Sequence, residues 1–426
     1  MNKTKNDVCW EQLFEKHKIL EKVLSTGSVS ISATEINKVR EARLMTKFDH
    51  RSQLPKIFAD NNLSILPTSR GNYIIGNFDT FCDFDTKNDV NVIKIDTPFL
   101  ESLDYEDITN EATALNGAFT AKLFQDFIGE KNLTPTVSGR MSSSAFNFSI
   151  NYKKDTIKIE VNNSQIEIDG GYEGDNSLIL IEAKNYISND FLIRQLYYPY
   201  KLWVNKVKKK VRPIFLTYTN GVFHLREYTF DSIDHYNSLR LIKQKKYSVQ
   251  NLAINIETIQ QILETVKIVR EPNIPFPQAD SFERVINLCE LLKQRDVLTK
   301  EEITQNYDFE PRQTDYYSNA GKYLGLIDSK KIDGQIVYFL TDKGRQLFTL
   351  PIVNRQTEFL KLILSHAVFK KTLQLYFDKG NAPTKIEVVE IMKKSKLYKV
   401  DSKSTYSRRA STIVSWVNWI INQLDE

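Results

Sequence analysis

In the stretch IEIDGGYEGDNSLILIEAKN, Asp169 closes one run of alternating apolar residues, and Glu182 and Lys184 close the next. Side chains alternate across a strand, so Glu182 and Lys184 share a face while Ile181 and Ala183 take the other. A hairpin between the two runs brings Asp169 against them. Two carboxylates held a few ångströms apart repel each other, and the pairing is unfavourable unless a hard divalent cation takes both as oxygen ligands. Mg2+ suits such a site, with Asp169, Glu182 and the backbone carbonyl of Ala183 as ligands. Beside it, the Lys184 ammonium orients an attacking water and offsets the charge of a phosphate, which is the chemistry of phosphodiester hydrolysis. The plain alternative for the same residues is an exposed, salt-bridged hairpin.

These residues need a scaffold, and the flanking pattern supplies one. From Asp107 to Gly129, apolar residues recur at three- and four-residue spacing, which predicts a helix with Asn110 as cap and Gly129 as stop. Four short alternating runs follow, SAFNFSI, DTIKIEV, SQIEIDG and SLILIEAK, expected as successive strands of one sheet. DFLIRQLYYPYKLWVNKV then reads as a helix, in which Tyr197, Tyr198 and Tyr200 serve packing. VRPIFLTYTNGVFHLREYTF reads as two strands joined at Asn220-Gly221, a favoured hairpin turn. Helix, strands, helix, strands describes an α/β core.

With these motifs in this order, the chain resembles the PD-(D/E)XK nuclease superfamily over about residues 107–230, and within it the type II restriction endonucleases. Asp169 matches the motif's aspartate and Glu182-Ala183-Lys184 its E-x-K, while Ile168 stands where the motif's proline would be. The resemblance implies an α/β restriction-endonuclease-like core that cuts double-stranded DNA with Mg2+ and leaves 5′-phosphates. It also implies an extra acid, assigned to Glu111 on the preceding helix, with Glu160 and Glu167 as rivals. Glu111 has a second reading as an electrostatic stabiliser of its helix start. Gln195, on the helix after the E-x-K strand, would face the site. Gly139-Arg140 either holds the DNA backbone, through close approach and a bidentate phosphate contact, or forms a plain turn. One site per chain implies a homodimer or a transient dimer on DNA, and a restriction enzyme implies a cognate DNA methyltransferase as its genetic partner.

Outside the core, residues 1–105 read as an α+β domain in which Arg43, Lys47, Arg51, Arg70 and Asn72 are candidates for DNA contact. The core is assigned to 106–268. Three prolines in VREPNIPFPQA mark a linker at 269–281. Residues 282–352 give three short helices, a strand, an Asp333-Gly334 turn and a strand, the order of a winged helix-turn-helix. Its third helix would enter the major groove with Arg312, Gln313, Tyr316, Tyr317 and Asn319. Residues 353–426 repeat the helical order and read as a second winged-helix-like unit, with Ser404, Thr405, Ser407, Arg408 and Arg409 in the same place.

Composition agrees with folded domains. The 426 residues carry a net charge of only +5, which excludes a uniformly basic nucleic-acid coat. Charge is regional instead: Gly71 to Asn110 is acidic, and Lys201 to Gln250 and Lys361 to Ala410 are basic, the last including Lys393, Lys394, Lys396, Lys399 and Lys403. The 3 cysteines and 5 histidines are scattered, without the spacing of a disulfide framework or a zinc site. No apolar stretch has the length of a membrane span and the start lacks a signal-peptide core, which predicts a cytoplasmic protein. Two other functions fit the same elements: an endonuclease subunit of a transposase, and a non-catalytic winged-helix DNA-binding regulator.

Overall fold

The computed structural model describes residues 3–85, 90–153, 155–250, 254–395 and 397–424. Lys396 of the basic run lies outside them. The chain is mixed α/β and forms two compact units, one of Met1–Ile93, Asn110–Tyr218 and Val222–Tyr247, the other of Lys94–Thr109, Thr219–Gly221 and Ser248–Glu426.

The first unit begins with α1 (Lys5–His17), α2 (Ile19–Thr26), β1 (Ser28–Ser32), α3 (Ala33–Asn37), α4 (Ala42–Thr46), α5 (Lys56–Asp60), β2 (Ser64–Ser69) and β3 (Asn72–Gly76). Thr4 starts α1 with a capping box, and the helix buries Trp10, Leu13 and Phe14. These pack with Phe58 and Ile75 against the antiparallel sheet β1-β3-β2. Next come β4 (Phe81–Asp83), β5 (Val92–Lys94), α6 (Glu111–Thr120), α7 (Leu123–Ile128), β6 (Leu133–Ser142), β7 (Ala145–Tyr152), β8 (Asp155–Asn162), β9 (Gln165–Gly174), β10 (Ser177–Lys184), β11 (Asp190–Leu192), α8 (Arg194–Val204), β12 (Lys210–Thr219), β13 (Val222–Phe230) and β14 (Leu239–Ser248).

The main sheet has seven strands in the order β5-β14-β13-β12-β10-β9-β6. β10 is buried along its whole length, as a near-continuous SLILIEAK run requires in a central strand covered on both faces. It pairs antiparallel with β9 and parallel with β12, and the parallel connection passes through α8 as a β-α-β crossover. At the β12–β13 hairpin, Asn220 and Gly221 both adopt positive φ, 49° and 77°, as a two-residue primed turn demands.

Several expectations are corrected. The helix expected from Asp107 to Gly129 is two helices, because Lys122 takes a left-handed conformation at φ 58° between them. The four runs expected in one sheet divide: β7 and β8 pair as a separate two-stranded sheet, and β9 is flanked instead by β6, whose polar LTPTVSGRMS sequence carries little strand signal. α8 starts at Arg194 rather than Asp190, because residues 190–192 pair with β4. The first unit holds residues 1–93 together with the strands of the main sheet from Asn110 on, and residues 94–109 belong to the second.

The second unit contains α9 (Ile256–Thr265), α10 (Phe282–Arg295), β15 (Val297–Thr299), α11 (Lys300–Asn306), α12 (Pro311–Tyr323), β16 (Ile327–Ile332), β17 (Gln335–Leu340), α13 (Asp342–Leu347), α14 (Ile352–Leu364), α15 (Ala367–Lys379), α16 (Lys385–Lys393) and α17 (Lys403–Ile421). Ser281 caps α10, and a Thr299–Glu302 capping box starts α11. β16 and β17 form the hairpin expected at Asp333-Gly334, and β15 adds a third strand on β17. After Leu340 the described residues form five helices, α13 to α17, and no named strand, so among the described residues of 353–426 no second wing is formed. Its sequence has helical apolar spacing throughout and no alternating run from which a wing would be built.

Candidate functional site

The site lies in the first unit, at the end of the β9–β10 pair. Regular pairing runs as far as Ile181↔Gly170, which makes Asp169 and Glu182 the next facing residues. On its other edge, β9 bulges. Val137 pairs with Gly171 and Gly139 with Ile168, so Asp169 and Gly170 together face the single residue Ser138. Bulges bend a strand and re-aim its side chains. Here the Asp169 carboxylate accepts the backbone N–H of Ala183 at 2.8 Å, between Glu182 and Lys184.

Glu182 and Lys184 share a face and are each only 8% exposed. Lys184 Nζ donates to Glu182 Oε1 at 2.5 Å, and Gln195 Nε2, from the first turn of α8, donates to that oxygen at 2.7 Å. Glu182 and Gln195 line a cleft with Glu167, Ile168, Leu180 and Pro199. Burial pushes the Glu182 carboxyl up to about 8, against the pull of Lys184 and with the added repulsion of Asp169 and Asp49. Burial works against the Lys184 ammonium, but Glu182, Tyr186, Asp49 and Asp169 more than offset it, and the lysine stays protonated.

Glu111 enters on α6, whose cap Asn110 accepts the N–H of Thr113 at 2.9 Å. Leu115, one turn along the same face, packs on Gly170, where an added Cβ would lie 3.4 Å from its methyls. This close approach carries Glu111 toward the strand end. Burial raises its carboxyl, with contributions from Lys184 and Asp169 in opposite senses. Glu160 is exposed on β8, outside the main sheet, and Glu167 is exposed and paired with Arg140 at 3.2 Å. Of the three acids weighed from sequence, Glu111 feels the charges of Asp169 and Lys184, and Glu167 lines the cleft beside Glu182.

Sequence reasoning missed Asp49. It is 7% exposed, lies between α4 and α5, and interacts electrostatically with Lys184, Glu182 and Glu111. Nothing in LMTKFDHRSQ marks it, since Glu182 and Lys184 are more than a hundred residues away in sequence. Beside it, Arg51 is held by Asp83 and Asp190. Lys47 pairs with Asp49 at 3.6 Å.

In the second unit, Arg312 is exposed at the start of α12, with its guanidinium over the Tyr316 ring, and Gln313 closes a capping box onto Glu310. Tyr316 and Asn319 are half-buried. Tyr317 is buried against Phe309 and Arg284, so its expected groove contact gives way to a core role. On α17, Ser404, Ser407 and Arg408 are exposed, Thr405 is half-buried, and Arg409 is tied to Gln278.

No described helix is long and apolar enough to cross a membrane. Asp169 and Glu182 present hard carboxylate oxygens of the kind a divalent cation takes, and the charges of Glu111 and Asp49 act on Glu182 or Asp169 beside them. Neither a curated protein nor a solved structure matches the chain. Three families match segments of it, each described as a domain of unknown function: DUF6996 over residues 7–75, DUF6997 over 76–248 and DUF7226 over 284–425. Glu111, Asp169, Glu182, Lys184 and Gln195 all fall in the second of these segments, and Asp49 falls in the first.

Proposed function

We propose that the protein is a sequence-specific, Mg2+-dependent endonuclease of the PD-(D/E)XK kind, acting on double-stranded DNA as a type II restriction enzyme does. The observation that carries this reading is the joint placement of Asp169, Glu182 and Lys184, with the Asp169 carboxylate bonded to the peptide between the other two. A divalent cation at this place supplies Lewis acidity toward a phosphodiester oxygen. The chain's own residues do the rest. Asp169 and Glu182 present the hard oxygens, Gln195 fixes the orientation of Glu182, and Lys184 orients water and offsets charge on the phosphate. Water attack displaces the 3′ oxygen and leaves a 5′-phosphate.

In this reading, α10, α11, α12 and the β16–β17 hairpin act as a winged helix-turn-helix that presents Arg312, Gln313 and Asn319 to DNA. Arg408 and Ser404 on α17 add contacts. Two strands must be cut and the described residues hold one such centre, so the active form is a dimer on DNA or the strands are nicked in turn. Incubation of purified protein with unmodified phage DNA and Mg2+ tests the reading. Discrete fragments with 5′-phosphates support it. A shifted but intact band points to a binding protein, and cutting only with added partner proteins points to a transposase subunit.

A further inference from the structure

We propose that Arg226, on β13, is a seat for a phosphate group, and that its occupant is a backbone phosphate of the DNA strand whose scissile phosphate meets Lys184. This inference rests on the nuclease reading and deepens it, because it says where on the main sheet the strand is held.

Strand register sets the position. Lys184 on β10 is the register partner of Thr217 on β12, and residues so paired carry their side chains on the same face of a sheet. Arg226 Nη1 donates to Thr217 Oγ1 at 3.2 Å, and Arg226 Nη2 donates to His224 Nδ1 at 2.7 Å. Burial, then the charges of Arg226 and Lys246, push the His224 imidazole down to about 3, so the ring is neutral. Its Nδ1 accepts from the arginine, and its Nε2 donates to Gln244 Oε1 on β14 at 2.9 Å. The guanidinium lies over the Phe84 ring, 4.4 Å from its centroid. A hydroxyl, an imidazole and a ring therefore fix its orientation, while Thr217, His224, Arg226 and Gln244 are all only half-buried and within reach of solvent.

What this guanidinium lacks is an anion. The three other arginines on the strands of the main sheet each hold a carboxylate: Arg140 that of Glu167, Arg212 that of Glu227 and Arg240 that of Asp231. Arg226 forms no ion pair among the described residues. Its two hydrogen bonds go to a hydroxyl and a neutral ring, and its Nε, shielded from solvent, has no hydrogen-bond partner. Burial works against the charge and pushes the group down to about 10, which leaves it charged at neutral pH. A partly buried cation held in place without a counter-ion is unfavourable until an anion arrives, and the planar fork of an arginine matches phosphate oxygens. Lys184, beside Thr217, acts on the phosphate under attack. A strand that runs from β10 across β12 toward β13 brings another of its phosphates to Arg226.

Binding of a short random-sequence DNA duplex to the full chain, without Mg2+ and over a series of salt concentrations, tests this in wild type, Arg226→Gln and Arg240→Gln. Arg226→Gln is expected to weaken binding by about tenfold and to lower the slope of log affinity against log salt by about 1, as the loss of one phosphate contact does. Arg240→Gln, whose guanidinium is already spent on Asp231, should stay within about twofold of wild type. A wild-type slope and affinity in Arg226→Gln, or an equal loss in Arg240→Gln, overturns the proposal. If Arg226→Gln does not fold, Arg226→Met takes its place in the same series. Thermal melts in inorganic phosphate, against sodium chloride at equal ionic strength, give a second readout: phosphate should raise the wild-type Tm and leave that of Arg226→Gln unchanged. Equal shifts in both overturn the seat, and a wild-type shift without any DNA binding assigns the seat to a free phosphate and overturns the backbone contact. Wild-type protein that binds DNA but does not cut it with Mg2+ refutes the nuclease reading, while the salt slope still decides whether Arg226 holds a phosphate.

Discussion

Gln195 Nε2 and Lys184 Nζ donate to the same oxygen of Glu182, at 2.7 and 2.5 Å. The carboxylate that would hold a cation is therefore aimed from two sides, by α8 and by its own strand. Gln195→Ala removes one of these supports. Loss of an outer partner of a metal-binding carboxylate typically costs about 10- to 100-fold in affinity or activity. A Mg2+ titration of plasmid cleavage should show that loss with the fold intact by circular dichroism.

Proton and cation compete for Glu182. Its carboxyl is raised from 4.5 to about 8 by burial first, with Asp169 and Asp49 adding repulsion. The folded protein therefore holds a proton that the unfolded chain releases near 4.5. That contribution to stability is full below pH 4.5 and is lost as pH rises toward about 8. A cation reverses the trend, because it binds the deprotonated carboxylate. Thermal melts across this window should show the stabilisation by Mg2+ growing with pH up to about 8 and then levelling. A Mg2+ shift independent of pH would remove Glu182 from the ligand set.

Placement of the acids separates Glu111 from Glu160. Glu111→Gln changes a charge that Asp169 and Lys184 both feel, whereas Glu160 is exposed on the β7–β8 ribbon. Cleavage assays should find Glu111→Gln slower by about tenfold or more and Glu160→Gln equal to wild type.

The strand end is also tightly packed. A Cβ added at Gly171 would sit 2.8 Å from Val137 Cβ and 2.9 Å from its carbonyl oxygen, so β6 would have to move away from β9. Gly171→Ala should destabilise the protein by about 1–3 kcal/mol, read as a lower urea midpoint, and should disturb the Asp169 bulge next to it.

What could be read from sequence was local. The IEIDGG and LILIEAK runs, the Asn220-Gly221 and Asp333-Gly334 turns, and the three helices before β16 carry their signals within a dozen residues. Their periodicity survived into the structure because nothing distant competes with it. Long-range pairing decided the rest. β4 claims residues 190–192 from the expected helix, β6 joins β9 despite a polar sequence, and the bulge that aims Asp169 depends on a register with β6 that hydropathy does not encode. Tyr317 sits at a helical position that looks accessible in isolation but faces Phe309 and Arg284. Asp49 was beyond reach for the same reason: its backbone carbonyl is held by the N–H of Leu192, far away in sequence.

The most direct measurement is cleavage of unmodified DNA by Lys184→Ala beside wild type, at saturating Mg2+, with DNA binding measured on the same preparations. The site proposed for Asp169, Glu182 and Lys184 predicts fragments from wild type, none from the variant, and a bound complex from both. A variant that cuts at the wild-type rate would contradict it.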